Sequence, residues 1–264
     1  MKKKKKRKGT TKQSSAAAAY KRGEYLYYEK GDPDTALKYF IKAAKAGYTK
    51  AYGEIGIILH REKNEPEEAE EWFIKAERSN SLFPAARYEY GMLHYLSKED
   101  WETGLKDLLE SADQEYELAY GDIGSIVYVY QEKIDEAEEW FKKAEQSDCL
   151  FAPAAHDYGI LLWLGKGKLE DSFKYFKKSA EEGFEPAYGQ LGTIYYLEKL
   201  DIDEAESWFE KAKKAGCLDA PQAYDYGMLL IEERGEIEEG KKYLKMAEEG
   251  GCFDDGFGLS LIHI

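Results

Sequence analysis

Cysteine, histidine and long apolar runs are scarce in this chain, and each scarcity removes a class of protein. Cys149, Cys217 and Cys252 are the only cysteines among 264 residues. Three thiols cannot make a fully paired framework, which points to a reducing compartment. Cys149 and Cys217 stand 68 residues apart, at the same place in two copies of a repeat, and read as small buried residues. No stretch approaches the roughly 18 apolar residues needed to span a bilayer. The basic start runs into GTTKQSSAAAAY, which lacks the apolar core of a signal peptide. A soluble, cytoplasmic chain is expected.

Catalytic signatures are missing too. The sequence holds no H-E-x-x-H, G-x-S-x-G, G-x-x-x-x-G-K-[ST] or C-x-x-C. His60, His94, His156 and His263 are scattered, and no two share a helical turn. No catalytic residue, metal site or cofactor is predicted, and the chain reads as a non-enzyme.

Charge is abundant but lopsided. The net charge is −14, yet residues 1–14 carry eight basic side chains and no acid. That leaves 30 of the 38 basic residues against all 52 acids in the remainder, a net charge of −22. So acidic a body disfavours nucleic acid, and a partner held electrostatically should be neutral to basic. The run Lys2–Lys8 reads as a solvated charge run, as a nuclear-import signal if the source is eukaryotic, or as a tether to an anionic surface. Acids such as Glu67, Glu68, Glu70 and Glu71 read as a solvated face.

The body is repetitive. Gly23, Gly56, Gly91, Gly124, Gly159, Gly192 and Gly227 recur at spacings of 33, 35, 33, 35, 33 and 35 residues. Numbered from that glycine, position −5 is alanine in six copies, position +13 is always small, and position +17 is Phe or Leu. Position +16 is Trp or Tyr in all but one, where Asp107 stands, and position +20 is Ala or Ser. Small, bulky and small at this spacing form one helix face, so each copy reads as helix A, a polar turn and helix B. Asp32-Pro33-Asp34 and Pro66-Glu67-Glu68 have the chemistry of helix starts. Neither helix can bury its face alone, so repeats must stack. The +16 tryptophans, Trp140 and Trp208 among them, read as core.

Ala187, Leu191, Gly192, Tyr195, Ala205, Trp208, Ala212 and Gly216 follow A-x-x-x-[LI]-G-x-x-[YL] and then A-x-x-W-[FY]-x-K-A. In this the chain resembles the Sel-one-like repeat, a relative of the tetratricopeptide repeat, over residues 16–255. Gly165-Lys166-Gly167 is similar to that family's G-x-G turn, which most other copies lack. The cysteine pairs of one bacterial branch are absent. The resemblance implies an all-α, α/α superhelical solenoid of about seven helix-turn-helix repeats, with helix A on a concave, ligand-bearing side. Residues 1–15 are expected to be a disordered polybasic leader. Residues 256–264 begin an eighth repeat and then leave the pattern at LSLIHI, which reads as a truncated or out-of-frame end.

Two rows of rings fall on helix A. Position +4 holds Tyr27, His60, Tyr95, Tyr128, Trp163 and Tyr196, with Ile231 last. Position −3 alternates ring and glycine: Tyr20, Gly53, Tyr88, Gly121, His156, Gly189, Tyr224. The alternation reads as packing, with each ring over the bare glycine of the next repeat. The +4 row fits packing or a ladder that grips an extended peptide. Tyr27, His60, Tyr95, Tyr128, Trp163, Tyr196, Tyr88, His156 and Tyr224 are the candidate partner-binding residues. The expected function is a non-catalytic scaffold or adaptor holding a protein or peptide on the helix-A face. The alternatives are an accessory domain of a longer protein, glycan binding, or an enzyme along the ring ladder.

Overall fold

The computed structural model describes residues 2–251. All regular structure among the described residues is helical. It comes in seven pairs: α1 (Lys2–Glu24) with α2 (Pro33–Lys45), α3 (Ala51–Arg61) with α4 (Pro66–Arg78), and α5 (Pro84–Met92) with α6 (Trp101–Ala112). Then come α7 (Ala119–Gln131) with α8 (Ile134–Gln146), α9 (Ala152–Ile160) with α10 (Leu169–Glu181), α11 (Ala187–Ile194) with α12 (Ile202–Ala215), and α13 (Ala220–Glu232) with α14 (Ile237–Glu249). Odd numbers are A helices and even numbers B helices. The chain forms two compact bodies, divided between Ile126 and Val127 within α7. Within each body the helices pack mainly against those of their own and adjacent repeats.

A marker glycine and the +17 side chain join the helices of a pair. Phe40, Phe73, Phe141, Phe176 and Phe209 are fully buried. A Cβ on Gly23, Gly56, Gly159 or Gly192 would stand 2.5–2.8 Å from the phenyl ring of its own repeat. The third and seventh repeats close the pair by another route. Their +17 residues are Leu108 and Leu244, and their +13 residues are Gly104 and Gly240. A Cβ on Gly91 would lie 3.0 Å from the Gly104 carbonyl oxygen, and one on Gly227 2.9 Å from that of Gly240. Less side-chain volume is balanced by closer backbones.

The turn between the helices of a pair needs a left-handed residue at position +8. Gly31, Asn64, Glu99, Glu132, Gly167, Leu200 and Gly235 all have φ between 53° and 71°. The Gly167 end of the G-x-G turn is thus one solution to a requirement met in every repeat. Leu200 is a poor one, being non-glycine and exposed. After the turn the B helices start as expected: Asp32 accepts from the Thr35 amide ahead of Pro33, and Pro66 opens α4.

The structure also explains the 33/35 alternation. Helices α3, α7 and α11 begin at the −5 alanine, whereas α5, α9 and α13 begin two residues earlier, each with proline in the first turn. The extended starts need room on the A helix before them. A Cβ on Gly53 would meet Phe83 at 2.7 Å and Ala86 at 2.8 Å, and one on Gly189 would meet Gln222 at 2.8 Å. Gly53 and Gly189 therefore make way for the next helix start, and no ring of the repeat before is among the nearest atoms to a Cβ there.

Several other expectations need correction. Trp72, Trp140 and Trp208 are half-buried, not core. The ammonium groups of Lys75, Lys143 and Lys211 lie over their faces at 4.1, 3.8 and 3.5 Å, and Tyr52 and Tyr188 pack beside Trp72 and Trp208. The core role belongs to the +17 phenylalanines, one residue further round each helix. Cys149 and Cys217 are half-buried, not core, in the loops after α8 and α12. Ala18 is exposed, unlike its buried counterparts from Ala51 onward, because no earlier B helix covers it among the described residues. Residues 2–15, expected to be disordered, lie in α1. Lysine, arginine and alanine favour helix, so the run continues from the Ala16–Ala19 segment without a break. The end at residues 256–264 and Cys252 lie outside the described residues.

The Phe209→Ala variant should lose about 3–5 kcal/mol of unfolding free energy, and Trp208→Ala less than half as much, in urea denaturation followed by circular dichroism. Equal losses would return the tryptophan to the core. By the same measurement Leu200→Gly should gain about 0.5–1 kcal/mol, since the left-handed strain it relieves exceeds the entropy it adds.

Candidate functional site

The +4 ladder is half-buried along its whole length. Tyr27, Tyr95, Trp163 and Tyr196 each lie in a π-helical turn closing its A helix: Tyr25–Glu29, Leu93–Ser97, Leu161–Gly165 and Tyr195–Lys199. Such a turn adds a residue to the helix and re-aims the side chains beyond it. Several rings are tied to the following repeat. The Tyr27 hydroxyl donates to Glu62 at 3.0 Å, and that of Tyr196 to Glu232 at 3.2 Å. Burial and the Glu62 carboxylate push the Tyr27 phenol up to about 12. Tyr95 packs against Gly104 of its own B helix.

A row of carboxylates at position −2 was not anticipated from the sequence. It comprises Glu54, Glu89, Asp122, Asp157 and Asp225, with Gln190 in the sixth repeat. Glu54 is buried and accepts from Tyr20 and Tyr28, each at 2.9 Å. Glu89 is buried and bonds His60 Nδ1 at 3.0 Å and Arg61 Nε at 2.6 Å. Asp122 accepts from Tyr88 at 2.8 Å. At Glu54, Glu89 and Asp122 each donor comes from the repeat before, so these carboxylates fasten A helices side by side. Tyr88 and His60 therefore serve as structural fasteners. His156 lies against Phe176 and Phe184, with Nδ1 3.2 Å from Asp157.

A second fastening runs along the turns. A basic residue at +7 reaches the start of the preceding B helix: Lys63 to Asp34, Lys98 to Glu70, Lys199 to Glu170, and Arg234 to Asp203 and Glu206. Lys166, the middle of the G-x-G turn, pairs with Asp135 and Glu138. Glu70, read as part of a solvated face, is one of these partners. Exposed pairs of this kind contribute about 0–1 kcal/mol each. Their repetition makes them a register device.

Two adjoining concavities on the second compact body are left open. One, of about 380 Å³, is lined by Trp163, Leu164, Gln190, Leu197, Tyr224 and Asp225, among others. The other, of about 500 Å³, is lined by Tyr128, Val129, Ile134 and again Leu164. Leu164 is 69% exposed, Val129 54% and Leu197 52%. The π-helical turn of α9 brings Trp163 and Leu164 to the shared rim. Asp225 accepts one hydrogen bond, from Thr193 Oγ1 at 2.6 Å, and burial raises its pKa. Gln190 is 8% exposed and its Oε1 has no partner. Of the candidate residues, Tyr128, Trp163 and Tyr224 meet at these grooves. Tyr27, His60, Tyr88 and Tyr95 belong to the first body. No group of three or more potential metal ligands stands together among the described residues, and none of their helices is long and apolar enough to cross a membrane.

Glu54 gives the carboxylate row a testable signature. Burial raises its pKa above the ordinary 4.5, although the hydrogen bonds from Tyr28 and Tyr20 oppose the rise. A carboxyl raised in the folded state contributes stability below its unfolded pKa and loses it as pH climbs through the folded value. The Glu54→Gln variant should therefore be more stable than the parent at pH 7, and the advantage should vanish below about pH 4.5 in thermal melts. A variant destabilised at pH 7 would show that the ionised group is needed.

Neither the protein-family models nor the curated proteins include a match to this chain. Solved structures do match. A Sel1 repeat protein from Oxalobacter formigenes is 22% identical, with a TM-score of 0.58 over 87% of this chain and 99% of its own. A protective antigen of uropathogenic Escherichia coli displaying an SLR fold is 21% identical, with a TM-score of 0.62 over 94% of this chain and 56% of its own. A tetratricopeptide repeat protein from Parabacteroides merdae is 18% identical, with a TM-score of 0.54 over 95% of this chain and 98% of its own. Together with the fourteen α-helices in seven pairs among the described residues, these likenesses establish the fold. The chain has the all-α, helix-pair repeat fold of the Sel1-like and tetratricopeptide repeat proteins.

Proposed function

We propose that this chain is a non-catalytic scaffold that holds a partner protein through an extended segment lying in the grooves of its second compact body. One observation carries the reading. Leu164, Leu197 and Val129 are large apolar side chains more than half exposed, grouped with Trp163 and Tyr128 at two adjoining concavities. Scattered exposed leucines need no explanation, but a cluster around an aromatic anchor in a groove is the composition of a docking surface. The fold adds support, since stacked helix pairs offer extended surfaces for binding other chains. The acidic body favours a neutral or basic partner.

The remaining ring positions serve the array. Tyr27, Tyr88 and Tyr196 spend their hydroxyls on carboxylates of the next repeat. The binding part of the +4 ladder is therefore concentrated at Tyr128 and Trp163, with Tyr224 across the smaller groove.

Capture by a photo-crosslinking residue placed at Leu164 should identify the partner. Trp163→Ala should then weaken its binding by about 2 kcal/mol, roughly thirtyfold, with circular dichroism unchanged. Tyr128→Ala should weaken it less, and Tyr27→Ala not at all. If Tyr27→Ala weakens binding as much as Trp163→Ala, the surface lies elsewhere on the A helices.

A further inference from the structure

At Asp225 and Gln190 the fastening between A helices is thin. Glu54 receives two tyrosine hydroxyls, and Glu89 receives an imidazole and a guanidinium. Asp225, the counterpart in the seventh repeat, receives only the Thr193 hydroxyl. A carboxylate offers about four acceptor sites, so most of its capacity is free. The equivalent position in the sixth repeat holds Gln190, whose buried Oε1 is unpartnered. Both residues line the groove of about 380 Å³ beside Trp163, Leu164 and Leu197.

The charge around the groove has one sign. Asp219 lies on its wall, where it caps α13 by accepting from the Gln222 amide at 3.3 Å. That carboxylate answers the positive end of α13. No lysine or arginine is among the lining residues. His156, on α9, has its Nε2 buried without a partner. Burial destabilises the ionised form of Asp225, and a cation brought beside it would reverse that cost. Gln190 carries no charge, so Asp225 decides the sign of what enters.

We propose that this groove is a subsite for a lysine or arginine side chain of the docked segment, with its charged head between Asp225 and Gln190 Oε1. Its aliphatic stem, and an apolar residue next to it, lie along Trp163, Leu164 and Leu197. A basic side chain suits such a site because its stem is apolar and its head donates several hydrogen bonds. This rests on the docking reading above and adds the chemistry of the occupant.

The test uses the full chain, isotopically labelled, with the Trp163 indole resonance assigned by comparison with Trp163→Phe. Four capped heptapeptides of the form Gly-Ala-Leu-X-Leu-Ala-Gly carry Lys, Gln, norleucine or Glu at X. The Lys peptide should shift the Trp163 resonance and bind about tenfold or more tighter than the Gln and norleucine peptides, the effect of a charge-assisted contact. The Glu peptide should bind weakest. Asp225→Asn should abolish the preference for Lys, and Glu139→Gln, on an exposed position of α8, should leave it. Gln190→Glu restores an acid where the second and fourth repeats have Glu54 and Asp122, and should sharpen the preference further. Equal binding of the Lys and Gln peptides, or an unchanged preference in Asp225→Asn, would overturn the subsite while leaving docking intact. Spermidine matching the Lys peptide in affinity would overturn a peptide occupant. If no peptide moved any resonance, the subsite and the docking reading would fall together.

Discussion

A phenyl ring seated on a bare glycine sets the distance between the helices of a pair, and most of the architecture follows from it. Gly56 and Phe73, or Gly192 and Phe209, meet so closely that a single Cβ would overlap the ring. The ring is fully buried because the helices close over it. Where leucine replaces phenylalanine, as at Leu108 and Leu244, glycine at +13 lets the backbones come together instead. The helix pair is thus closed by two different side-chain solutions.

Stacking depends on polar contacts laid over that apolar frame. Carboxylates at −2 take hydroxyl, imidazole and guanidinium donors from the A helix before, and basic residues at +7 reach back to the preceding B helix. The buried carboxylates are costly alone and are tolerated because donors meet them. Neutral donors such as Tyr20 and Tyr28 reduce that cost without removing it, since the Glu54 carboxyl remains raised. The same logic separates structure from function. A hydroxyl spent on the next repeat, as at Tyr27, holds the array, whereas an acceptor left without a donor, as at Gln190, is free to meet a ligand.

The grooves arise where two recurring features of this scheme meet. The π-helical turn at the end of α9 brings Trp163 and Leu164 to the rim. The extended start of α13 carries Asp219, Pro221 and Gln222 to the opposite wall, over the bare Gly189. Apolar anchors therefore stand beside underused acceptors in one concavity, the combination that gives a binding surface both affinity and sign.

The amino-acid sequence by itself determined the seven-fold helix pairing, the B-helix starts and the small-bulky-small face, because these are set by periodicity and capping along a single helix. It also presented Trp163, Tyr128 and Tyr224 as rings on helix A. It could not separate Trp208 from Phe209, adjacent on one helix, because which of two neighbouring positions is sealed depends on the crossing with the partner helix. Nor could it show that Tyr88 is bound to Asp122, 34 residues away, or that Gln190 is left unpartnered. Tertiary structure alone decided which rings were spent on packing and which were left to a groove. That outcome depends on how successive repeats approach one another, and spacing along one chain does not encode the approach.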